Sequence, residues 1–237
     1  MSEQTQVKRK KAVRNKTDPL KPYYSEEYQF EIGIDEAGRG PMLGRVYTAA
    51  VVLPKDSSFN HSLMKDSKRF SSKKKINEAA EYIKENALVY SVTYETEESI
   101  DKINIRQATL KAMHSAIGNC ITQLNNSDVM LLVDGCDFKP YMLLDVTNGE
   151  YKQIPNTCIE GGDNKYTSIA AASILAKVER DAYIDELCNE YPYLDERYDI
   201  LKNKGYGTKK HLDGIKQHGI TAFHRRTYGI CKNYVVV

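Results

Sequence analysis

The sequence predicts an α/β domain built on a mixed sheet, antiparallel at first and parallel later. Three observations carry that expectation. Three strand-like runs come early in the chain. Helical and strand patterns then alternate, as they do where strands are joined by crossover helices. Val129–Val133 is a continuous apolar run bounded by Asp128 and Asp134-Gly135, which suits a strand buried on both faces.

In chain order, Phe30–Asp35 alternates apolar with polar or small residues and reads as the first strand. Tyr47–Leu53 is a β-branched, apolar run closed by Pro54, and Val89–Tyr94 is a third strand candidate. Between them, Ser71 or Ser72 can cap a helix over Lys73–Asn86. Ile103–Leu124 places Ala108, Ala112, Met113, Ala116, Ile117, Cys120, Ile121 and Leu124 on one helical stripe. Lys152–Ile159 is a further strand candidate, weakened by Pro155. Ser168–Leu187 is a long helix whose first turns, Ala170-Ala171-Ala172-Ser173, are small enough to pack closely on a sheet. From Lys202 the chain is loop-rich, with one short helix near His211–Gln217.

Composition bounds the function. The 237 residues carry 34 Lys+Arg against 32 Asp+Glu, a net charge of +2. Their length suits one domain of roughly 200 residues plus a tail, or two small domains. No apolar run is long enough to span a membrane, and the Lys/Arg-rich N-terminus has no apolar signal segment. Cys120, Cys136, Cys158, Cys188 and Cys231 are scattered singly, which argues against a disulfide framework or a zinc site and for a reducing compartment. The small net charge is an average of unlike parts. Residues 1–22 hold seven basic residues against Glu3 and Asp18, a net of +5; the remainder, with 27 basic and 30 acidic residues, is −3. Residues 1–28 read as a disordered basic arm, suited to non-specific nucleic-acid contact or nuclear targeting, or else a solvated tail.

Acids at strand ends are the sharpest local signal. Asp35-Glu36 ends an apolar strand and runs into Gly38-Arg39-Gly40-Pro41; Asp134 follows Val129–Val133; Asp163 sits in a glycine turn before the long helix. If the first strand and Val129–Val133 are neighbours, Asp35 and Asp134 emerge together. Converging carboxylates cannot all stay ionised without a counter-charge, and oxygen donors favour Mg2+ or Mn2+. Taken singly, each acid also fits a plain strand end or helix cap. Gly38-Arg39-Gly40 offers peptide N–H groups unshielded by Cβ next to a guanidinium, without Walker A spacing. Two basic segments flank the acids in sequence. Lys65–Lys75 has six Lys/Arg, and Lys202–Arg226 interleaves cations with His211, His218 and His224 and with Tyr206 and Phe223, both able to stack on a base or sugar. No histidine or cysteine spacing indicates nucleophilic catalysis, and most of the histidines read as structural.

Taken in order, these motifs resemble bacterial-type ribonuclease HII. They are Gly33-Ile34-Asp35-Glu36-Ala37-Gly38-Arg39-Gly40-Pro41, Lys65-Asp66-Ser67-Lys68, Val133-Asp134-Gly135, Gly162-Asp163 with Ser168–Val178, Arg180-Asp181, Lys204–Thr208, and His218-Gly219 with His224-Arg225-Arg226. The match covers roughly residues 29–230. It implies a ribonuclease H-like mixed five-stranded sheet flanked by helices, a helical and loop C-terminal region from about 190, and a tail over 231–237. It implies an endoribonuclease that cuts the RNA strand of RNA–DNA hybrids and nicks 5′ to single ribonucleotides in duplex DNA. Water would attack in line with the help of two divalent ions, Mg2+ or Mn2+, leaving 3′-hydroxyl and 5′-phosphate ends. By motif, Asp35, Glu36, Asp134 and Asp163 would be the catalytic metal ligands. Gly38, Arg39 and Gly40 would read the ribose 2′-OH, Tyr206 would pack on the sugar after the ribonucleotide, and Lys68 and Lys177 would lie near phosphate. Two departures stand out: Arg69-Phe70 replaces a common Lys-Leu, and Gly161 stands where Lys is frequent.

The expected partner is a hybrid or ribonucleotide-containing duplex, met by a monomer in the cytoplasm, away from any membrane, with a viral or eukaryotic-host context left open. Tyr234–Val237 lacks the Gln-x-x-φ-x-x-aromatic pattern of a sliding-clamp ligand. Two other readings stay open at this level: a binding protein of the same fold without catalysis, and a ribonuclease HIII or junction resolvase with the same chemistry on another substrate.

Overall fold

Apolar runs of five to eight residues need two covered faces, and the chain supplies them with helices on both sides of one sheet. The computed structural model describes residues 19–145 and 149–236. The expected basic arm lies outside the described residues as far as residue 18, and so does the last residue of the tail.

The sheet uses β1 (Phe30–Ala37), β2 (Val46–Val52), β3 (Val89–Glu95) and β4 (Val129–Asp134). Two short strands, β5 (Met142–Asp145) and β6 (Glu150–Gln153), come next, followed by β7 (Asn156–Ile159). The main sheet runs β3-β2-β1-β4-β7; β5 and β6 form a separate hairpin. β1, β2 and β3 pair antiparallel, whereas β4 lies parallel to both β1 and β7. The expected mixed, five-stranded ribonuclease H-like sheet is therefore present, in the expected sequence of pairings.

Strand alternation sorts the two faces. Ile32, Ile34, Val129, Leu131 and Val133 face the long helix α2 (Glu97–Leu124), through its Leu110, Met113, Ala116, Ile117, Cys120 and Ile121. On the other face, Ala49 and Val51 meet α1 (Lys73–Asn86) and α3 (Thr167–Glu190). The small residues of α3 let it come unusually close. A Cβ on Gly33 would lie 2.2 Å from the backbone carbon of Ser168, so β1 and α3 touch backbone to backbone. At 25 cal/mol per Å² of apolar surface, each fully buried Val, Leu or Ile contributes about 1.5–3 kcal/mol to this core.

A third core joins the C-terminal half of α3 to α4 (Tyr193–Tyr198), α5 (Ile200–Asn203) and α6 (Lys209–His218), and to Met42 and Leu43 just after the glycine turn. This region is richer in helix than expected. α4 and α5 are short and are divided by Asp199 at φ 58, which hides them from any periodicity. The expected strand Lys152–Ile159 is two strands in two sheets: Pro155, lacking an N–H, interrupts it and offers its carbonyl to the Leu131 N–H at 2.9 Å. The expected helix start at Ile103 also shifts. α2 begins at Glu97, capped by Thr96, and turns at Asn104 (φ 66), whose side chain recaps the second half through the Gln107 N–H.

Residues 19–28 lie against this body. Lys21 exchanges backbone hydrogen bonds with Lys165 and Thr167, and the peptide N–H groups of Tyr24 and Ser25 donate to the buried Glu31 carboxylate at 2.7 and 2.8 Å. Among the described residues no helix is long and apolar enough to cross a membrane. All five cysteines are free thiols.

Candidate active site

The parallel pairing of β1 and β4 decides where the first acids emerge. Ile34 sits opposite Val133, so the next residue along each strand is an acid: Asp35 and Asp134 leave the sheet side by side at its carboxyl edge, on the face that carries α3. Open α/β sheets bind ligands at that edge. Asp163 comes from the short 3-10 turn Gly162–Asn164, which leads into α3. That turn is tied to β4 by the Gly162 N–H, which donates to Asp134 Oδ1 at 2.6 Å. Gly162 has no room for a side chain, because a Cβ there would meet Ile169 at 2.6 Å and Asp134 Oδ1 at 3.3 Å.

Asp35, Glu36, Asp134 and Asp163 line one cleft of ≈460 Å³, together with Gly38, Arg39, Gly40, Lys68, Lys177 and Tyr206. The cleft thus gathers all ten residues singled out in the sequence. It adds Ser67, Ser173 and Arg180, which the sequence motifs contained but to which sequence reasoning gave no role. Ser173 sits almost two helical turns into α3, hydrogen-bonds Ser67 at 3.1 Å, and also supports the Asp35 carboxylate.

The electrostatics are those of crowded acids. Burial pushes Asp35 well above the usual carboxylate range, and Glu36 and Asp134 push it further; the Glu36 N–H at 2.7 Å and Ser173 act against the rise. Burial also raises Glu36, opposed by the Arg39 guanidinium 3.3 Å away. Asp163 is raised by burial, then by Asp134 and Asp66, against the Asn164 amide at 2.9 Å. This all-oxygen set fits hard divalent cations. Among the described residues, however, no three acids are gathered into a closed cage for one ion. An open arrangement of this kind suits Mg2+, which keeps waters and completes its shell with substrate oxygens.

The glycine turn is held from several sides. Gly38 adopts φ 95, with Arg180 Nε 2.2 Å from where its Cβ would lie. The Tyr206 ring covers Gly40, 3.3 Å from the corresponding position, and is half exposed. The backbone of Tyr206 is fastened in turn. The Thr221 N–H donates to His224 Nδ1 at 3.0 Å, which leaves the hydrogen on His224 Nε2; this faces His211 Nε2 at 3.0 Å, and His211 Nδ1 reaches the Tyr206 carbonyl at 3.0 Å. Both imidazoles are buried.

The basic segments are less free than their composition suggests. Lys68 is on the cleft, but Lys177 pairs with Asp181, and Lys73 and Lys204 share Asp185. Arg225 is wholly buried. Phe223, expected as a possible stacking platform, instead packs on Tyr191 with ring centroids 5.0 Å apart, because the third core needs its apolar surface.

Comparison with known proteins agrees with this geometry. The family model described as ribonuclease HII matches residues 32–231. A ribonuclease HII of Bacteroides thetaiotaomicron is 44% identical over 211 residues, covering 89% of this chain and 94% of the relative. The ribonuclease H2 of Pyrococcus horikoshii OT3 superposes with a TM-score of 0.66 at 22% identity, covering 86% of this chain and 96% of that one. Bst-RNase HIII in complex with Mn2+ gives a TM-score of 0.59 at 14% identity, covering 85% and 71%.

Proposed function

The chain belongs to the ribonuclease HII family, and from that premise we propose how its cleft selects and cuts a ribonucleotide. Family membership makes it a metal-dependent endoribonuclease of RNA–DNA hybrids. The finer reading is that it also nicks duplex DNA 5′ to a single embedded ribonucleotide, leaving 3′-hydroxyl and 5′-phosphate ends. One observation carries this: four carboxylates converge in the same cleft as an N–H-rich glycine turn and a half-exposed tyrosine.

Asp35, Glu36, Asp134 and Asp163 would hold two divalent cations, Mg2+ or Mn2+. Bound there, the ions would supply counter-charge, a lowered water pKa and stabilisation of the leaving oxygen. The chain's own groups do the rest. Asp35 and Asp134 present their oxygens from the rigid ends of adjacent strands, and Gly162 and Ser173 fix their rotamers. Gly38, Arg39 and Gly40 approach the ribose closely enough to test for a 2′-OH, the group that separates RNA from DNA. Tyr206, lying over Gly40, packs on the next sugar. Lys68 and Lys177 balance phosphate charge at the rim.

The test is a divalent-metal titration of cleavage on three duplexes: all DNA, one ribonucleotide, and a full hybrid. Cleavage of the second and third with Mg2+ or Mn2+, and none of the first, is expected. Asp35→Asn, with an unchanged fold by circular dichroism, should lose at least about 100-fold in kcat. An active Asp35→Asn, or tight salt-dependent binding without nicking under any divalent ion, overturns the mechanism.

A further inference from the structure

Two arginines behind the glycine turn are buried with no acid in ion-pair contact, although Asp181 and Glu97 act on Arg180 and Arg225 from farther off. Arg225 is 0% and Arg180 2% exposed. Among the described residues neither guanidinium has a carboxylate within 4.0 Å. A buried cation is normally paired, since desolvation costs it heavily. Arg225 spends its donors on carbonyls: Nη2 to Gly38 at 2.6 Å, Nη1 to Arg39 at 3.0 Å and Nε to Gly44 at 2.8 Å. The Tyr228 hydroxyl also donates to the Arg39 carbonyl, at 2.9 Å. Arg180 donates to the Lys204 carbonyl at 2.9 Å, lines the cleft, and keeps a buried Nε with no partner against Gly38. The two cations repel each other. With the carbonyls of Gly38 and Arg39 drawn inward, no backbone carbonyl among the described residues accepts from the N–H groups of residues 38–40.

We propose that Arg225 and Arg180 form a buried cationic clamp in which Arg225 holds the Gly38 and Arg39 carbonyls inward, Arg180 packs behind Gly38, and the turn's N–H groups are offered to a phosphodiester anion of the substrate strand. Arg225 is a positioning residue; it meets the substrate only through the turn. Outward N–H groups backed by fixed positive charge make an anion nest. The inference rests on the reading of the cleft as a nucleic-acid site.

The test uses the full chain and the single-ribonucleotide duplex. Arg225→Met keeps the bulk and removes every donor. It should raise KM at least 10-fold and leave kcat, per titrated active site, within threefold. It should also flatten the salt dependence of binding. Arg225→Lys should fall between, because one ammonium cannot reach three carbonyls at once. A merely structural role would lower the active fraction and leave KM alone. If Arg225→Met does not fold, Tyr228→Phe decides, with a KM rise of about threefold expected. An unchanged KM in the folded variant overturns the clamp. Fluorescence-anisotropy binding of the same duplex without metal separates the two readings. If the wild-type chain binds but does not cut, the catalytic reading fails, while the clamp still stands or falls on whether Arg225→Met weakens that binding.

Discussion

His211 and His224 can share one hydrogen only if both rings are neutral. Burial pulls His224 down to about 3, and His211 beside it pulls in the same direction. A histidine depressed in the folded state binds its proton more readily when unfolded, so its contribution is present above about pH 6.5 and is lost as pH falls. Between pH 7 and pH 5 the loss should be about 2 kcal/mol. Urea midpoints of the wild type and of His224→Gln at the two pH values test this; the variant should lose that part of the pH dependence. A His224→Gln variant with the same pH dependence as the wild type would contradict the neutral pair. At this scale the sequence was legible where chemistry is local. Acids at strand ends declare themselves by position, and the bland reading of the histidines agrees with their burial. Arg180, Arg225 and Ser173 stood inside the matching motifs, but their roles did not declare themselves, because their partners lie far away in the chain. The Arg225 contact with Gly38 spans 187 residues.

Elements were legible where a pattern is long and continuous, as in β1, β2, β4 and the second half of α2. The sequence was less informative where the backbone itself intervenes. Asn104 redirects α2, Asp199 divides two helices too short to show a period, and Pro155 sends one apparent strand into two sheets. The contact between β1 and α3 is the element-level feature on which the site depends, since it brings Ser173 and the Asp163 turn to Asp35. Gly33→Ala would drive a methyl group into the Ser168 backbone. The expected cost is about 2–3 kcal/mol of stability, read as a lower urea midpoint with an unchanged m-value. A fall in kcat should accompany it as the helix shifts. Gly135→Ala is the control for losing a glycine, since its Cβ would meet nothing within 4 Å; there only the φ of 87 is strained.

For the whole molecule, the acid cleft and the buried histidines pull stability in opposite directions along the pH axis. Asp35, Glu36 and Asp163 are all raised in the folded state, so the metal-free protein loses stability as pH rises from about 4 through their raised values. Divalent cations should reverse that loss, because they bind the ionised carboxylates of the folded state. Thermal melts should therefore show a larger Mg2+- or Mn2+-induced rise in Tm at pH 7.5 than at pH 5, and Asp35→Asn should shrink the difference. An equal shift at both pH values would separate ion binding from these acids. The clamp on the glycine turn also has a consequence for how the enzyme is made. All four acids are in the first 163 residues, but the guanidinium that fastens Gly38 and Arg39 arrives only at residue 225. At roughly 5–20 residues per second, a nascent chain carries its full set of carboxylates for several seconds with the turn unfastened. A chain cut short before Arg225 stays in that state permanently, because the contact that fastens the loop joins residues 187 positions apart.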